Sequence, residues 1–278
     1  MKIAISAEST IDLPIEMLEE YSIHTTPFTI NFNDKLVEDR FGISKEIFEF
    51  VETSKKLPKT SAVSPDQFKT HFENLKKDYD AIIHVSLSSL MSSVYNNACS
   101  VAKDMENVYV VDSKSLSTGI ALLAIRGSEL IKKGEDAKSI FNKLNDLVPN
   151  IEAGFVLEKL NFLYKGGRCS ALTMLGANLL KIKPQIIVAN GKMIVGKKYV
   201  GNMSKVVGKY VDDLLVENPN PVLDHVFITH SSPMPEAEEI LTQKLKERGF
   251  KNIHNTLAGG TISSHCGPNC IGVLFINK

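Results

Sequence analysis

The first half of the chain alternates short apolar runs with amphipathic stretches, and this alternation restricts the fold more than any other feature. Apolar runs at residues 2–6, 81–85 and 108–111 have the length of buried strands. Helical patterns follow them, and the longest, at 116–133, ends before a glycine. A loop is predicted at 56–65. Parallel strands need crossover connections such as these helices. The first half is therefore predicted to be an α/β unit, a doubly wound, mostly parallel sheet with helices on both faces.

The second half mixes strands and helices without this regularity. Asn190 and Gly191 lie between two apolar runs, and this dipeptide is a strong signal for a tight antiparallel hairpin. A helix is predicted at 171–180. The chain has 278 residues, more than one domain usually contains. The sequence therefore predicts two domains, an α/β domain at 1–150 and an α+β domain with the hairpin at 151–278.

Charge and hydropathy exclude several classes of protein. The 32 basic and 32 acidic residues give a formal net charge of zero, so no overall field attracts a polyanion, and nucleic acid is not an expected partner. The N-terminus has no apolar stretch of the length that a signal peptide needs. No window has the length and hydropathy of a membrane span. We expect a cytoplasmic protein without an integral membrane segment.

Standard motifs of catalysis and cofactor binding are mostly missing from the sequence. It contains no G-x-x-x-x-G-K-[ST] phosphate loop, no G-x-G-x-x-G after the first strand and no G-x-S-x-G elbow. Any phosphoryl transfer would need another protein to bind ATP, and no cofactor is expected. Cys266 and Cys270 follow His265 and suggest a redox or zinc site. Their spacing is not that of a thioredoxin-type pair, and no metal site is predicted.

A serine-rich stretch at residues 84–98 lies where a predicted strand ends and a helix begins. Ligands of open α/β sheets bind at the carboxyl ends of strands, and the N-terminus of the next helix favours an anion. The hydroxyls can therefore bind an anionic ligand, with helix capping as the alternative role. The serines are Ser86, Ser88, Ser89, Ser92 and Ser93.

Seven segments, in order along the whole chain, together resemble the DegV family. The resemblance implies a two-domain protein that binds a long-chain fatty acid between its domains, with hydroxyls of the first domain holding the carboxylate. It also implies a possible partner, the ATP-binding subunit of a fatty acid kinase, to which such a protein presents the acyl group for acyl phosphate formation. The segments are residues 1–14, 58–65, 86–98, 110–119, 157–168, 179–193 and 263–272.

The resemblance assigns ligand-binding roles to individual residues. Thr60 and Ser61 match the family's Thr-Ser pair, and Thr60 is expected to contact the carboxylate. Ser92 matches the serine of the family's Ser-Gly-Thr-Tyr signature. His265 matches the histidine before the family's Gly-Pro-Gly turn. Arg168 ends a glycine-hinged basic loop and is expected at the ligand head or in a domain interface.

Four positions depart from the family's pattern. Ser93 stands in place of a glycine, Val94 in place of a threonine and Asn269 in place of the second glycine of the turn. Val200 occupies a position where the family usually has arginine. Val94 removes one hydroxyl donor, whereas Ser93 adds one, so the geometry around the carboxylate is expected to differ. Phe28, on an extended strand at residues 23–32, is predicted to line the tunnel for the acyl tail.

An enzyme is the alternative that the sequence leaves open. A serine-dependent hydrolase or acyltransferase would use Ser92 as the nucleophile and His265 as its base. The missing elbow and the lack of an identifiable acid to orient the histidine argue against this mechanism. The leading hypothesis is a lipid-binding protein that carries a long-chain fatty acid and has no catalytic residue of its own.

Overall fold

The computed structural model describes residues 1–169 and 182–278, and the helix predicted at 171–180 lies outside them. The described strands form three sheets. In chain order they are β1 (Ile3–Glu8), β2 (Ile23–Thr26), β3 (Thr29–Phe32), β4 (Lys35–Glu38), β5 (Lys59–Ser61), β6 (Ala81–Ser86), β7 (Val108–Asp112), β8 (Ile151–Leu157), β9 (Lys183–Ala189), β10 (Lys192–Tyr199), β11 (Pro221–His230), β12 (Asn252–Leu257) and β13 (Cys270–Asn277).

Helices connect most of these strands. In residues 1–169 and 182–278, no helix is long and apolar enough to cross a membrane. The helices are α1 (Ile15–Glu20), α2 (Ser44–Ser54), α3 (Pro65–Leu75), α4 (Val94–Ala102), α5 (Thr118–Lys132), α6 (Ala137–Leu147), α7 (Asn161–Gly166), α8 (Met203–Glu217), α9 (Pro235–Arg248) and α10 (Gly260–Cys266), with 3-10 turns at Ser9–Ile11 and Val148–Asn150.

The four-stranded sheet has the strand order β2-β1-β6-β7, and all of its strands are parallel. Every residue of β1 and β6 is buried, as expected for strands covered on both faces. Local signals set the helix boundaries between them. At the start of α3, Ser64 and Gln67 form a reciprocal capping box, with Pro65 as the first helical residue. The predicted α/β class is confirmed.

The six-stranded sheet has the order β10-β9-β8-β13-β11-β12. Its pairings are antiparallel except for the parallel pair of β11 and β12. The predicted hairpin joins β9 to β10. Asn190 and Gly191 have φ values of 50° and 81°, as a two-residue hairpin turn requires. The antiparallel half of the fold prediction is thus confirmed as well.

Helix α5 packs between these two sheets. It contacts β1, β2 and β6 on one side and β8, β11 and β13 on the other. Eleven of its residues are buried, from Thr118 to Leu130. The largest cluster of buried side chains contains residues of both halves, from Ile3 to Leu274. The division into domains at residue 150 therefore stays a prediction.

The three-stranded sheet, β4-β3-β5, corrects two predictions from the sequence. Residues 23–32 form two strands rather than one, because Pro27 has no N–H for a ladder and the chain then enters a different sheet. β2 pairs with β1, whereas β3 pairs with β4 and β5. The segment 56–65, predicted to be a loop, contains the short strand β5. This strand exists through its pairing with β3.

Strands β8 and β13 approach closely at Gly272. A methyl group there would lie 2.6 Å from the carbonyl oxygen of Gly154 and 2.8 Å from Cβ of Phe155. We expect Gly272→Ala to lower the free energy of unfolding by about 1–3 kcal/mol, because backbone atoms must move apart. The measurement is urea denaturation followed by circular dichroism.

Gly208, inside α8, provides the matched control. A methyl group there makes only ordinary contacts, 3.8 Å or more from neighbouring atoms. Gly208→Ala should raise the free energy of unfolding by up to about 1 kcal/mol, because alanine loses less backbone entropy in a helix. Equal urea midpoints for the two variants would contradict the close approach of β8 and β13.

Candidate functional site

A cavity of about 230 Å³ lies between elements of the two halves of the chain. We call it the apolar chamber. Its walls come from the segment between β2 and β3, from β5, from the loops after β6 and β7, and from α7, β10 and α10. Their side chains are mainly aliphatic or aromatic, so the chamber suits an apolar ligand. The main apolar residues are Phe28, Leu87, Leu116, Leu163, Met193 and Ile262.

Most of the residues singled out from the sequence lie at this chamber, although their roles in binding stay predictions. Ser61 is exposed on β5 and is not part of the wall, because it points to the opposite face of the strand from Thr60. The structure therefore brings the hydroxyl of Thr60, but not that of Ser61, to the cavity. The predicted residues in the wall are Phe28, Thr60, Ser92, Ser93, Arg168 and His265.

Thr60 and His265 form the polar contact at one end of the chamber. The hydroxyl Oγ1 of Thr60 lies 3.0 Å from Nε2 of His265, although the residues are 205 positions apart in the chain. Strand β5 places Thr60 opposite Ile30 of β3, and α10 carries His265. The pair presents a hydroxyl and an imidazole to a ligand head, and both groups can donate a hydrogen bond.

His265 is neutral at neutral pH. Burial, together with the smaller effect of the positive charge of Arg168, lowers the pKa of its imidazole to about 4. Its second ring nitrogen, Nδ1, is buried and has no hydrogen-bond partner in the described part of the chain. A neutral imidazole carries one N–H donor. Among the described residues, the positive charge in the wall of the chamber is therefore that of Arg168.

A second cavity, of about 720 Å³, shares Thr60, Arg168 and His265 with the apolar chamber. We call it the basic cavity. Its wall contains Arg168 and four lysines but no carboxylate, and within residues 1–169 and 182–278 these lysines form no ion pair. An excess of unpaired cations is the charge pattern of an anion site. The lysines are Lys55, Lys56, Lys59 and Lys165.

Buried polar atoms in the wall of the basic cavity lack partners as well. Oδ1 of Asn31, Oγ of Ser264 and Nδ1 of His265 form no hydrogen bond with the described residues. Buried polar groups are normally paired, and each unpaired group calls for an explanation. A polar ligand or water in this cavity would supply the missing partners.

The serine-rich stretch divides into structural and cavity-lining residues. Ser86 donates to the buried carboxylate of Glu8 at 2.6 Å, and Ser88 donates to the carbonyl of Gly191 at 2.8 Å. These two hydroxyls hold the sheet and the hairpin in place. Ser92 accepts from the N–H of Val94 at 3.3 Å and lies in the chamber wall together with Ser93.

Three of the four departures from the family's pattern lie away from both cavities. Val94 is fully buried in the core, and Val200 is 72% exposed after β10. Asn269 has a φ of 55°, a conformation that asparagine tolerates better than most residues, and its side chain pairs with Glu158 and Ser232. Only Ser93, of the four, reaches the wall of the apolar chamber as the structure describes it.

The constellation for serine catalysis is incomplete among the described residues. No hydrogen bond joins Ser92 to His265, and no carboxylate pairs with the imidazole. A hydrolase of this type needs both contacts. Cys266 and Cys270 are buried thiols, and the neighbouring Cys266 together with burial raises the pKa of Cys270. In the same residues no group of three or more ligand side chains is placed to hold a metal.

Fold and site together define an α/β protein with an apolar chamber that ends in polar and basic groups. The chain matches the family described as "Uncharacterised protein, DegV family" over residues 2–278. The protein therefore belongs to the DegV family, and the resemblance seen in the sequence is confirmed.

Three relatives have names or titles that describe lipid or fatty acid binding. A fatty acid-binding protein of Thermotoga maritima is 29% identical and covers 98% of this chain and 96% of its own length. The crystal structure of DegV, a fatty acid binding protein from Bacillus subtilis, matches with a TM-score of 0.86 at 26% identity, over the full length of both chains. The structure of a DegV lipid binding protein from Thermotoga maritima gives a TM-score of 0.88 at 27% identity, over 100% and 99% of the chains.

The lowered pKa of His265 predicts a pH-dependent contribution to stability. The unfolded chain protonates this residue below about pH 6.5, whereas the folded chain does so only near pH 4. The stabilising contribution is therefore present above pH 6.5 and is lost as the pH falls towards 4. We expect His265→Gln to flatten the pH dependence of the free energy of unfolding by up to about 1.4 kcal/mol per pH unit in this range.

Urea denaturation of the wild type and of the variant at several pH values between 7 and 4.5 measures this difference. Curves of free energy against pH that run parallel for the two proteins would show that His265 titrates normally in the folded state.

Proposed function

We propose that this protein binds a long-chain fatty acid, with the acyl tail in the apolar chamber and the carboxylate at Thr60 and His265. The observation that carries the proposal is the contact of 3.0 Å between these two side chains at the polar end of an apolar cavity. The fatty acid ligands of family members support it.

The chemistry of the chamber fits such a ligand. Each methylene group transferred from water into an apolar site contributes about 0.8 kcal/mol, so a long tail supplies most of the affinity. The carboxylate accepts a hydrogen bond from the hydroxyl of Thr60, whose oxygen accepts from Nε2–H of the neutral imidazole of His265. Arg168 provides a compensating charge at the junction of the two cavities. The tail thus sets the affinity, and the head group sets the orientation.

Thr60→Val tests the role of the head group. Valine keeps the shape of threonine but removes the hydroxyl, and a hydrogen bond to a charged group contributes about 1.5–3 kcal/mol. We therefore expect the affinity for hexadecanoic acid to fall about ten- to hundredfold. Native mass spectrometry of the purified protein, followed by titration of the delipidated protein, measures the ligand and its affinity.

Thr70→Val is the matched control, because Thr70 lies on the exposed surface of α3 and its hydroxyl donates only to Asp66 of the same helix. It should leave the affinity unchanged. A wild-type protein that retains no lipid and binds no added fatty acid would refute the proposed function. If Thr60→Val binds the fatty acid as strongly as the wild type, the carboxylate does not bind at this end of the chamber.

We further propose that the bound fatty acid is presented to a separate ATP-dependent kinase, which forms an acyl phosphate. The basic cavity supports this role, because it lies next to Thr60 and His265 and its cations are unpaired among the described residues. A phosphoryl group arriving at the carboxylate would meet Arg168 and the lysines. The chain itself has no phosphate-binding loop. Because the reaction consumes ATP, we propose the cytoplasm as its location.

The kinase role predicts a dependence on two lysines of the basic cavity. The protein loaded with fatty acid and incubated with ATP alone should form no acyl phosphate, as measured by trapping with hydroxylamine. Addition of an ATP-dependent kinase fraction from the source cells should produce it, and a Lys56→Glu, Lys165→Glu double variant should reduce the yield at least several-fold.

The control is a Lys69→Glu, Lys103→Glu double variant, which changes the net charge equally at exposed lysines outside both cavities. Equal yields from the two double variants would contradict a role of the basic cavity in phosphoryl transfer. Acyl phosphate formed by the protein and ATP alone would contradict the need for a partner.

A further inference from the structure

The start of helix α10 is held by two buried aspartates from the first half of the chain. The carboxylate of Asp39 accepts from the N–H of Gly260 at 2.6 Å and from that of Thr261 at 3.0 Å. Asp12 accepts from the N–H of Gly259 at 2.8 Å. The approach is close, since a methyl group on Gly260 would lie 2.9 Å from Oδ1 of Asp39. These contacts fix the position of a helix that carries part of the chamber wall.

Asp39 also holds the opposite wall of the apolar chamber. Its backbone N–H donates to the carbonyl of Phe28 at 2.8 Å. Its carboxylate accepts from the hydroxyl of Ser9 at 3.1 Å, and the oxygen of Ser9 accepts from the N–H of Phe28 at 3.1 Å. Phe28 is therefore fixed on both its N–H and its carbonyl side by Asp39 or its partner. One side chain connects two walls that come from distant parts of the sequence.

These backbone contacts determine the positions of side chains that line the chamber. Thr261 and His265 are four residues apart on α10, so they lie on one face of the helix, and both line the chamber. His265 contacts Thr60, whose strand pairs with β3 directly after Phe28. A shift at the start of α10 would therefore change the distance between the imidazole and the hydroxyl.

We infer that Asp39 is a positioning residue for the head-group site: its carboxylate sets the separation of Phe28 and α10, and thereby the contact between Thr60 and His265. The inference rests on the proposed binding of a fatty acid carboxylate at that contact. It assigns to Asp39 the preference for a carboxylate over an uncharged head group, while the tail is bound by the apolar wall.

Helix capping alone does not explain why a buried aspartate occupies position 39. Asp39 and Asp12 are 4% and 2% exposed, and neither forms an ion pair in the described residues. Burial raises the pKa of both carboxyl groups, and the charge of Asp39 adds to this rise at Asp12. Serine or asparagine can cap a helix without a buried charge. Titratable groups with perturbed pKa values cluster at functional sites.

Asp39→Asn tests the inference with little change of shape. The amide has one acceptor oxygen instead of two, so its NH₂ group must face a backbone N–H of Gly260 or Thr261. We expect the ratio of affinities for hexadecanoic acid and hexadecan-1-ol to fall about tenfold, with the affinity for the alcohol almost unchanged. Competition against a fluorescent fatty acid measures both affinities. The ring signals of His265 in NMR spectra should shift in the same variant.

Asp136→Asn is the matched control. Asp136 also caps a helix, by accepting from the N–H of Ser139 at 3.0 Å, but it lies at the start of α6, outside the chamber wall. It should change neither the ratio of affinities nor the signals of His265. If Asp39→Asn does not fold, Ser9→Ala removes the link to Phe28 while keeping the carboxylate, and a smaller fall in the same ratio is expected.

Two outcomes would overturn the inference. The first is an unchanged ratio in Asp39→Asn, and the second is an equal loss of affinity for acid and alcohol. Both outcomes concern the variant and leave the proposed function of the wild type untouched. A wild-type protein that binds neither compound would instead refute the proposed function. A wild-type protein that binds the alcohol as tightly as the acid would refute the placement of the carboxylate at Thr60 and His265.

Discussion

The burial of helix α5 between the parallel and the antiparallel sheet is the constraint on which much of the structure depends. A helix covered on two sides must be apolar around most of its circumference, and α5 is, from Thr118 to Leu130. Its packing brings together the parallel sheet and the six-stranded sheet. The segments after those strand ends contribute Leu87 and Leu116 to the chamber. The site thus lies at the carboxyl ends of parallel strands, where open α/β sheets bind ligands.

At that position the protein separates an environment for an apolar tail from an environment for a charged head group. An apolar wall favours a hydrocarbon tail, but it makes an unpaired charge expensive. The chamber therefore ends in neutral donors, Thr60 and His265, and the cations lie beyond them in the basic cavity. The low pKa of His265 follows from the same separation, since burial and the nearby Arg168 both disfavour its protonation. A fatty acid whose carboxylate lies at this boundary has its acyl tail shielded from water and its carboxylate near positive charge.

The sequence predicted the features that depend on local pattern. Strand and helix alternation gave the parallel sheet, and Asn190 with Gly191 gave the hairpin, because periodicity and turn chemistry are encoded within a few residues. Family motifs, rather than physical reasoning, pointed to Thr60 and His265. Their mutual contact could not be predicted, since it joins positions 205 residues apart through two sheets.

Elements stabilised by distant partners were missed. Strand β5 has three residues and depends on β3, and α10 begins with glycine and has seven residues, too few to form alone. The aspartates that hold α10 carried no signal either. Asp12 belongs to a segment that reads as a turn, and Asp39 lies in a polar stretch typical of the surface. Only the fold shows that both are buried.

The buried histidines and the buried aspartates act on stability in opposite directions as the pH falls. His265 and His71, with pKa values lowered to about 4 and about 3, lose stabilisation below pH 6.5, because the unfolded chain binds protons first. Asp12 and Asp39, with raised pKa values, bind protons more readily in the folded chain and gain stabilisation. The two effects partly cancel in the free energy of unfolding. They do not cancel at the site, where a protonated Asp39 offers α10 a weaker acceptor. If Asp39 positions the proposed head-group site, we expect fatty acid binding to be more sensitive to acid than the stability of the fold.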